Sequence, residues 1–277
     1  MPDPTVLEDN ELIVRAAGGD RDAFAAVVDR HAPAVVRLAR AMAPDDATAD
    51  DVAQEAFLQA FRAAGTYRSD VAPVRTWLFA IARNEARRAR RPRHQPTEYV
   101  DDGPLMALGF EAGWGHPLPD EALARAEQAE RLAGALASLR PADREIIVLR
   151  DLEGLAGDTV AGLLSLALPA MKSRLHRARL RLLAALRASE GGVVENEREV
   201  GGMTCSAVLA RLGDYVDGDT SASETGRIDA HLRGCSVCER FGGRYSGVVH
   251  GARERLGAAP AVDAAQIERI RALLREP

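Results

Sequence analysis

Between Asp51 and Arg93 the chain alternates apolar and polar positions with the period of an α-helix, breaks, and then does so again. In the first of these runs Ala53, Ala56, Phe57, Ala60 and Phe61 fall on one face, and Asp51, Gln54, Glu55, Leu58 and Arg62 on the other. The first set is a core stripe. The second is polar and acidic with one leucine in it, which suits docking on another surface. Gly65 to Pro73 reads as a loop carrying Tyr67, Arg68, Ser69 and Asp70. In the helix that follows, Leu78, Phe79, Ala82, Ala86 and Ala89 make the core side and Arg83, Arg87 and Arg90 the opposite side. Residues 83–93 hold six arginines against one glutamate. That is an electrostatic footprint for nucleic acid, placed beside aromatic residues able to stack on exposed bases.

The same patterning divides the rest of the chain. Residues 11–43 read as two helices, with Asp20 as N-cap of the second and Phe24, Val27, Val28, Val35, Val36 and Leu38 as its core. Pro33 lies inside this pattern and is expected to bend it. Pro44-Asp45-Asp46 breaks it, and Thr48 or Asp50 is expected to cap the next helix. Residues 94–120 are a linker, with Leu108, Phe110 and Trp114 as its apolar positions. Residues 121–190 form a second helical module: Leu132, Leu136 and Leu139 begin it, Pro141 opens a helix at its first turn, and Ile146, Ile147, Val148 and Leu149 are core. The stretch from Leu152 to Leu186 then reads as a helix-turn-helix. Met171, Leu175, Ala178, Leu182 and Leu186 line one side of its last helix, and Lys172, Ser173, Arg174, Arg177 and Arg181 cover much of the rest. A recognition helix enters the major groove by its N-terminal residues, which puts Lys172, Ser173, Arg174 and Arg177 nearest to DNA. Residues 191–202 are a polar tether, and residues 203–277 a last module ending in an amphipathic segment with Val262, Ile267, Ile270, Leu273 and Leu274. The expected fold is all-α: two helical modules joined by a linker, and a small helical domain behind them.

Charge changes this picture only in its distribution. The net charge of −5 looks wrong for a DNA-binding chain. Residues 1–93 carry 14 acids and 14 bases, however, and residues 121–190 nine acids and eleven bases. Residues 94–120 carry five acids and no Lys or Arg, so much of the deficit sits in the linker. No apolar run approaches the ~20 residues of a membrane span, and no secretory signal is recognisable, so the expected location is cytoplasmic with no membrane partner. No nucleophile–base pair, phosphate loop or paired-carboxylate site stands out, so the chain reads as a binding protein and not an enzyme.

The three cysteines fall in the last quarter of the chain, too few for a disulfide framework. His231 and Cys235 are one helical turn apart, and Cys235 and Cys238 form a C-x-x-C knuckle. With Cys205 brought alongside, these four residues make a tetrahedral Cys3His zinc site. Ser221 and Glu224 have capping-box spacing for the helix that carries His231.

On these residues, DDVAQEAFLQAF and YRSDVAPVRTWLFAIARNEARR resemble the second conserved region of bacterial sigma factors of the extracytoplasmic-function type. LRPADREIIVLRDLEGL with KSRLHRARLRL resembles the fourth region. The resemblance implies that Asp51, Gln54, Glu55 and Leu58 dock on core RNA polymerase. It implies that Tyr67, Arg68, Trp77, Arg83, Asn84, Arg87 and Arg88 melt and read the minus-ten promoter element, and that Lys172, Ser173, Arg174 and Arg177 read the minus-thirty-five element. It further implies that the acidic linker threads the polymerase cleft. The fourth region departs from the family in GDTVAGLL, where Gly157 and Gly162 each cost up to ~1 kcal/mol relative to alanine, and in Ala170-Met171. The segment from Cys205 to Cys238 resembles the zinc-binding anti-sigma domain. The reading is a promoter-directing sigma factor with a fused zinc domain in intramolecular contact with the sigma modules. Two alternatives stand beside it: a regulator in which the zinc domain dominates and sequesters sigma activity, and a redox- or metal-sensing DNA-binding protein that acts without polymerase.

Overall fold

The computed structural model describes residues 7–89, 108, 125–187, 198–256 and 264–275. Most of the linker and the first part of the tether, with Arg90, Phe110 and Trp114, lie outside these residues, as do the side chains of Leu273 and Leu274. The chain divides into two compact units, residues 1–95 with 260–277, and residues 96–259.

The first unit is built from α1 (Asp9–Ala17), α2 (Arg21–Met42), α3 (Asp46–Arg62) and α4 (Val74–Ala89). The carboxylate of Asp20 accepts the Ala23 amide at the start of α2. At α3 the capping residue is Asp45, which accepts the Thr48 amide at 2.7 Å, so the helix begins earlier than Thr48 or Asp50 would have started it. Pro33 is accommodated within an unbroken 22-residue α2. The apolar stripes meet as their spacing requires. Phe24, Phe57 and Phe79 are fully buried, and Phe24 lies 5.1 Å from the Phe61 ring. His31 is held by Asp9, Nε2 to Oδ2 at 2.8 Å.

The second unit contains α5 (Arg125–Ser138), α6 (Pro141–Ile147), a π-helical turn at Val148–Leu152, α7 (Gly157–Leu164) and α8 (Leu168–Arg187). Ser165, in the left-handed conformation at φ 56°, closes α7 and turns the chain into α8. Gly157 lets α7 approach α8 closely, since a Cβ there would lie 3.2 Å from Met171 Cε. A hairpin of β1 (Glu199–Val200) and β2 (Met203–Thr204) follows, across what the sequence reads as the end of the tether. Gly201 and Gly202 both have positive φ, as a two-residue hairpin turn that follows strand twist demands. Three helices complete the unit: α9 (Cys205–Asp217), α10 (Ala222–Gly234) and α11 (Ser236–Arg255). Ser221 Oγ accepts the Glu224 amide at the start of α10. One apolar cluster joins Leu180 and Leu183 of α8 to Leu209 and Leu212 of α9 and Phe241 and Tyr245 of α11, with Leu108 of the linker also in it.

The last helix, α12 (Ala264–Arg275), belongs to the first unit and packs on α2 and α3. Ile270 and Gln266 are its buried contacts, each 1% exposed.

Candidate nucleic-acid interface and metal centre

In the first unit the sequence-derived docking residues share the outer side of α3. Asp51 is exposed, and Gln54, Glu55 and Leu58 are half-buried. Glu55 is partly engaged within its own helix: it accepts from Gln59 Nε2 at 2.6 Å and lies 3.5 Å from Arg62. Beside them, Asp50 accepts hydrogen bonds from Gln266 and Arg269 of α12, and Arg271 pairs with Asp29 of α2.

The loop residues are engaged with their neighbours. Tyr67 and Trp77 pack ring to ring at 5.2 Å, and the Tyr67 hydroxyl reaches Asn10 Oδ1 at 2.8 Å. Arg68 is exposed and forks onto Asp70. On α4, Asn84, Arg87 and Arg88 face solvent, with Arg88 paired to Glu85. Arg83 is turned inward and only 6% exposed, so the surface positions of the arginine-rich helix begin at Asn84.

In the second unit, α8 is buried on more than one side. Met171, Leu175, Ala178 and Leu182 face the helix-turn-helix core as their period requires. His176, Arg179, Leu180 and Leu183 are buried as well, against α9 and α11. Helix α9 can come this close because residue 213 is glycine; a Cβ there would meet His176 Nδ1 at 3.1 Å and its Cβ at 3.2 Å. His176 Nδ1 lies 2.8 Å from the Tyr245 hydroxyl of α11.

Arg179 is the centre of a buried ion cluster. Its guanidinium contacts Asp151 at 2.6 Å and Asp217 at 2.8 Å, and Arg253 of α11 reaches the same two carboxylates at 3.0 and 2.7 Å. Asp151 sits in the π-helical turn, a local irregularity that often marks a functional position. Burial alone would raise the Asp217 carboxyl, but Arg179 and Arg253 outweigh it and hold the group below its ordinary value. The sequence pattern does not single out His176, Arg179, Asp217, Tyr245 or Arg253. The signal it does carry is a second apolar stripe on α8: Leu180 and Leu183 stand off the Leu175–Leu182 face, three residues apart.

The basic start of α8 is engaged too. Lys172 Nζ lies 2.9 Å from Asp219 and 3.5 Å from Asp214, at and just beyond the end of α9. The Asp219 carboxylate, and then Asp214, raise the Lys172 ammonium above its ordinary value. Arg174 donates to the Ala142 carbonyl at 3.2 Å, Ser173 is exposed and Arg177 half-buried.

Cys205, His231, Cys235 and Cys238 converge, all buried, with their ligand atoms within 4.8 Å of one another. Each is placed by a local feature. Cys205 opens α9. His231 lies on α10, and its Nδ1 is held by the Met203 carbonyl at 2.9 Å and the Val200 carbonyl at 3.2 Å, both from the hairpin. Cys235 links α10 to α11, and Cys238 is in the first turn of α11. Burial pushes the Cys235 thiol up, but the Cys238 amide, the neighbouring thiols and the Val237 amide bring it below its ordinary value. His231 Nε2 is buried with no hydrogen-bond partner, as a ligand nitrogen left for a metal would be. The Cys205 and Cys235 sulfurs are 3.8 Å apart. Two thiolates on one tetrahedral zinc, at bonds of ~2.3 Å, stand about 3.8 Å apart as well. The donor set and its spacing fit a metal of the zinc type.

Comparison with known proteins follows this division. Residues 27–95 match the family described as sigma-70 region 2, residues 129–182 that described as sigma-70 region 4, and residues 205–238 a family described as a zinc-finger. The RNA polymerase sigma factor CnrH of Cupriavidus metallidurans is 34% identical over 183 residues, 65% of this chain and 95% of that protein. The ECF RNA polymerase sigma-E factor of Escherichia coli is 33% identical over 181 residues, 62% of this chain and 91% of that protein. The solved structure of CnrH in complex with the cytosolic domain of CnrY matches with a TM-score of 0.46 at 31% identity, over 66% of this chain and 99% of that one. No helix among the described residues is long and apolar enough to cross a membrane.

Proposed function

Because the chain belongs to the extracytoplasmic-function sigma factors of bacterial RNA polymerase, whose members direct the core enzyme to specific promoters, we propose that this one does so under the restraint of its own C-terminal zinc module. In this reading Asp51, Gln54, Glu55 and Leu58 dock on polymerase. Tyr67, Arg68, Trp77, Asn84, Arg87 and Arg88 engage the melted promoter, while the buried Arg83 supports α4 from within. Lys172, Ser173, Arg174 and Arg177 contact the upstream element. Cys205, His231, Cys235 and Cys238 hold one zinc, which ties the hairpin, α9, α10 and α11 together. A module this small draws much of its folding free energy from such a metal.

The observation that carries the restraint is the pairing of Lys172 with Asp214 and Asp219. The first cation of the recognition helix meets two carboxylates where promoter phosphates would otherwise lie, so acid groups of the zinc module stand in for DNA. The α12 contacts with Asp50 and Asp29 support the same reading in the first unit, since Asp50 adjoins the Asp51 docking position. A DNA-binding sensor that acts without polymerase has no use for the sigma-70 region 2 match over residues 27–95.

The test is the affinity of an upstream-element DNA duplex for the zinc-loaded full chain and for residues 1–202. Tighter binding by the shorter protein is expected. Equal affinity contradicts the restraint.

A further inference from the structure

The loop between α3 and α4 leaves Arg68, Ser69, Asp70 and Val71 in solvent. Val71 is 74% exposed, high for a large apolar side chain. Four adjacent exposed side chains give the loop little packing of its own. An unheld loop must be ordered when it binds, and that ordering costs affinity.

Here the loop is held from outside. The Tyr67 hydroxyl lies between two acceptors, Asn10 Oδ1 at 2.8 Å and the Ala72 carbonyl at 3.0 Å, so its one proton is shared between α1 and the far end of the loop. Burial, and then the Asp9 charge, hold the phenol above its ordinary value, so it stays a donor near neutral pH. The Tyr67 ring packs on Trp77 of α4. Tyr67 thus joins both ends of the loop, and α4, to α1. Asn10 stands on a fixed base. Its neighbour Asp9 accepts from Arg30 Nη1 at 2.9 Å and contacts His31 Nε2 at 2.8 Å, both on α2. Leu12, Ile13 and Ala16 bury the inner side of α1. A continuous set of contacts therefore runs from α2 through α1 to the loop.

We propose that Asn10 is a positioning residue for promoter opening: through the Tyr67 hydroxyl it holds the loop, before DNA arrives, in the shape that receives unpaired bases. This role rests on the reading above that the loop engages the melted promoter. Asn10 itself touches no DNA and acts through Tyr67. The Tyr67 ring stays available to bases, while its hydroxyl is spent inside the protein. A loop held in its binding shape lowers the cost of capturing a single strand. The effect therefore belongs to the opening step and not to the initial binding of duplex.

The test uses full-length, zinc-loaded protein with saturating core polymerase. The DNA is a duplex promoter that the parent holoenzyme selects from a DNA library, with a fluorescent adenine analogue in its minus-ten segment. Opening rate is followed against holoenzyme concentration for the parent, Asn10→Ala, Tyr67→Phe and the double variant. The restraint bears on all four alike. Asn10→Ala is expected to lower the plateau rate about threefold, the worth of one exposed hydrogen bond, with the half-saturating concentration unchanged. Tyr67→Phe is expected to lower it equally, and the double variant to be no slower than either, because each removes the same bond. A role in fold stability alone would reduce the active fraction, and with it the amplitude, at an unchanged plateau rate; that result overturns the proposal. A slower Tyr67→Phe beside an unchanged Asn10→Ala makes the hydroxyl a direct promoter contact and also overturns it. So does a double variant slowed by the product of the two effects. A parent that selects and opens no promoter overturns the promoter reading itself, and the role of Asn10 with it, so the two failures are distinguishable.

Discussion

The Arg179 guanidinium donates twice to the Asp217 carboxylate, from Nη1 at 3.0 Å and from Nη2 at 2.8 Å, with both side chains almost completely buried. Arg179 belongs to α8 and Asp217 to α9, the helix that opens on the candidate metal ligand Cys205. Their pairing makes the two parts one packed body, and Asp151 and Arg253 close the charge pattern around them. Removing one partner of a buried pair costs about 3–5 kcal/mol when it leaves a lone charge. Here Asp151 remains between Arg179 and Arg253, and the excess charge falls to the part-exposed Arg253, so Asp217→Ala is expected to cost less than that. Thermal unfolding measures the loss, and hydrogen exchange locates it at α9 and the end of α11.

The same pair sets a pH dependence. The Asp217 carboxyl is held below its ordinary value in the folded chain. Its contribution is therefore complete above the unfolded carboxyl value of about 4, and disappears as the pH falls from there through the lower folded value. A stability–pH profile of the parent is expected to fall more steeply in that acid window than that of Asp217→Asn. Parallel profiles would count against the assignment.

Gly213 gives a sharper probe of the seam, because it carries no charge and contacts no metal ligand. Leucine at this position must displace His176, which an alanine Cβ would already crowd at 3.1 Å. Gly213→Leu is expected to part α9 from α8 and raise affinity for an upstream-element duplex, with zinc still bound. Unchanged affinity in a variant whose α9 amides exchange faster would separate loosening of the seam from exposure of the DNA-binding face.

How much of this is legible in the sequence can be argued residue by residue. The α3 stripe, the Ser221 cap and the Cys3His set are local patterns, and each appears where its spacing puts it; the α4 stripe holds through Ala86, while Ala89 at the end of the helix is exposed. Two differences are also local. Asp45 and not Thr48 or Asp50 caps α3, because the carboxylate nearest the Pro44 break is the first that can reach an orphan amide. The Gly201-Gly202 pair reads as tether, although two adjacent glycines between short extended segments also signal a hairpin. The remaining differences are not local. Arg179 is one basic residue among six on a helix that DNA would attract, and only its tertiary neighbours Asp151 and Asp217 make it a core residue. The same reasoning places Arg83 outward, and it lies inward. Gly157 looks like a helix cost, and the close approach of Met171 shows what the missing Cβ allows.

For the metal centre, one zinc per chain is expected in the full-length protein. Replacing Cys205, His231, Cys235 or Cys238 by Ser or Ala should abolish or sharply weaken it. Thiolate ligands must lose their protons to bind, so affinity falls with falling pH. Metal analysis after gel filtration measures this. Full zinc content in Cys205→Ser would remove that residue from the site.

Helix α12 offers a test in the first unit. Ile270 is 1% exposed, and Asp in its place buries an unpaired charge that α12 can avoid only by leaving α2 and α3. Ile270→Asp is expected to raise affinity for core polymerase, while reversing the charge of Asp51 and Glu55 lowers it. A titration in which Ile270→Asp binds core polymerase as the parent does would release α12 from any part in the restraint.

Promoter-specific run-off transcription tests the central claim most directly. Purified core polymerase is supplied with the full-length chain or with residues 1–202, at equal concentration, with zinc and reductant present. More transcript from the shorter protein is the expected result, since Lys172 and the buried side of α8 are then freed. Equal or lower output from residues 1–202 would contradict the restraint and make the zinc module a structural or positive element of the sigma factor.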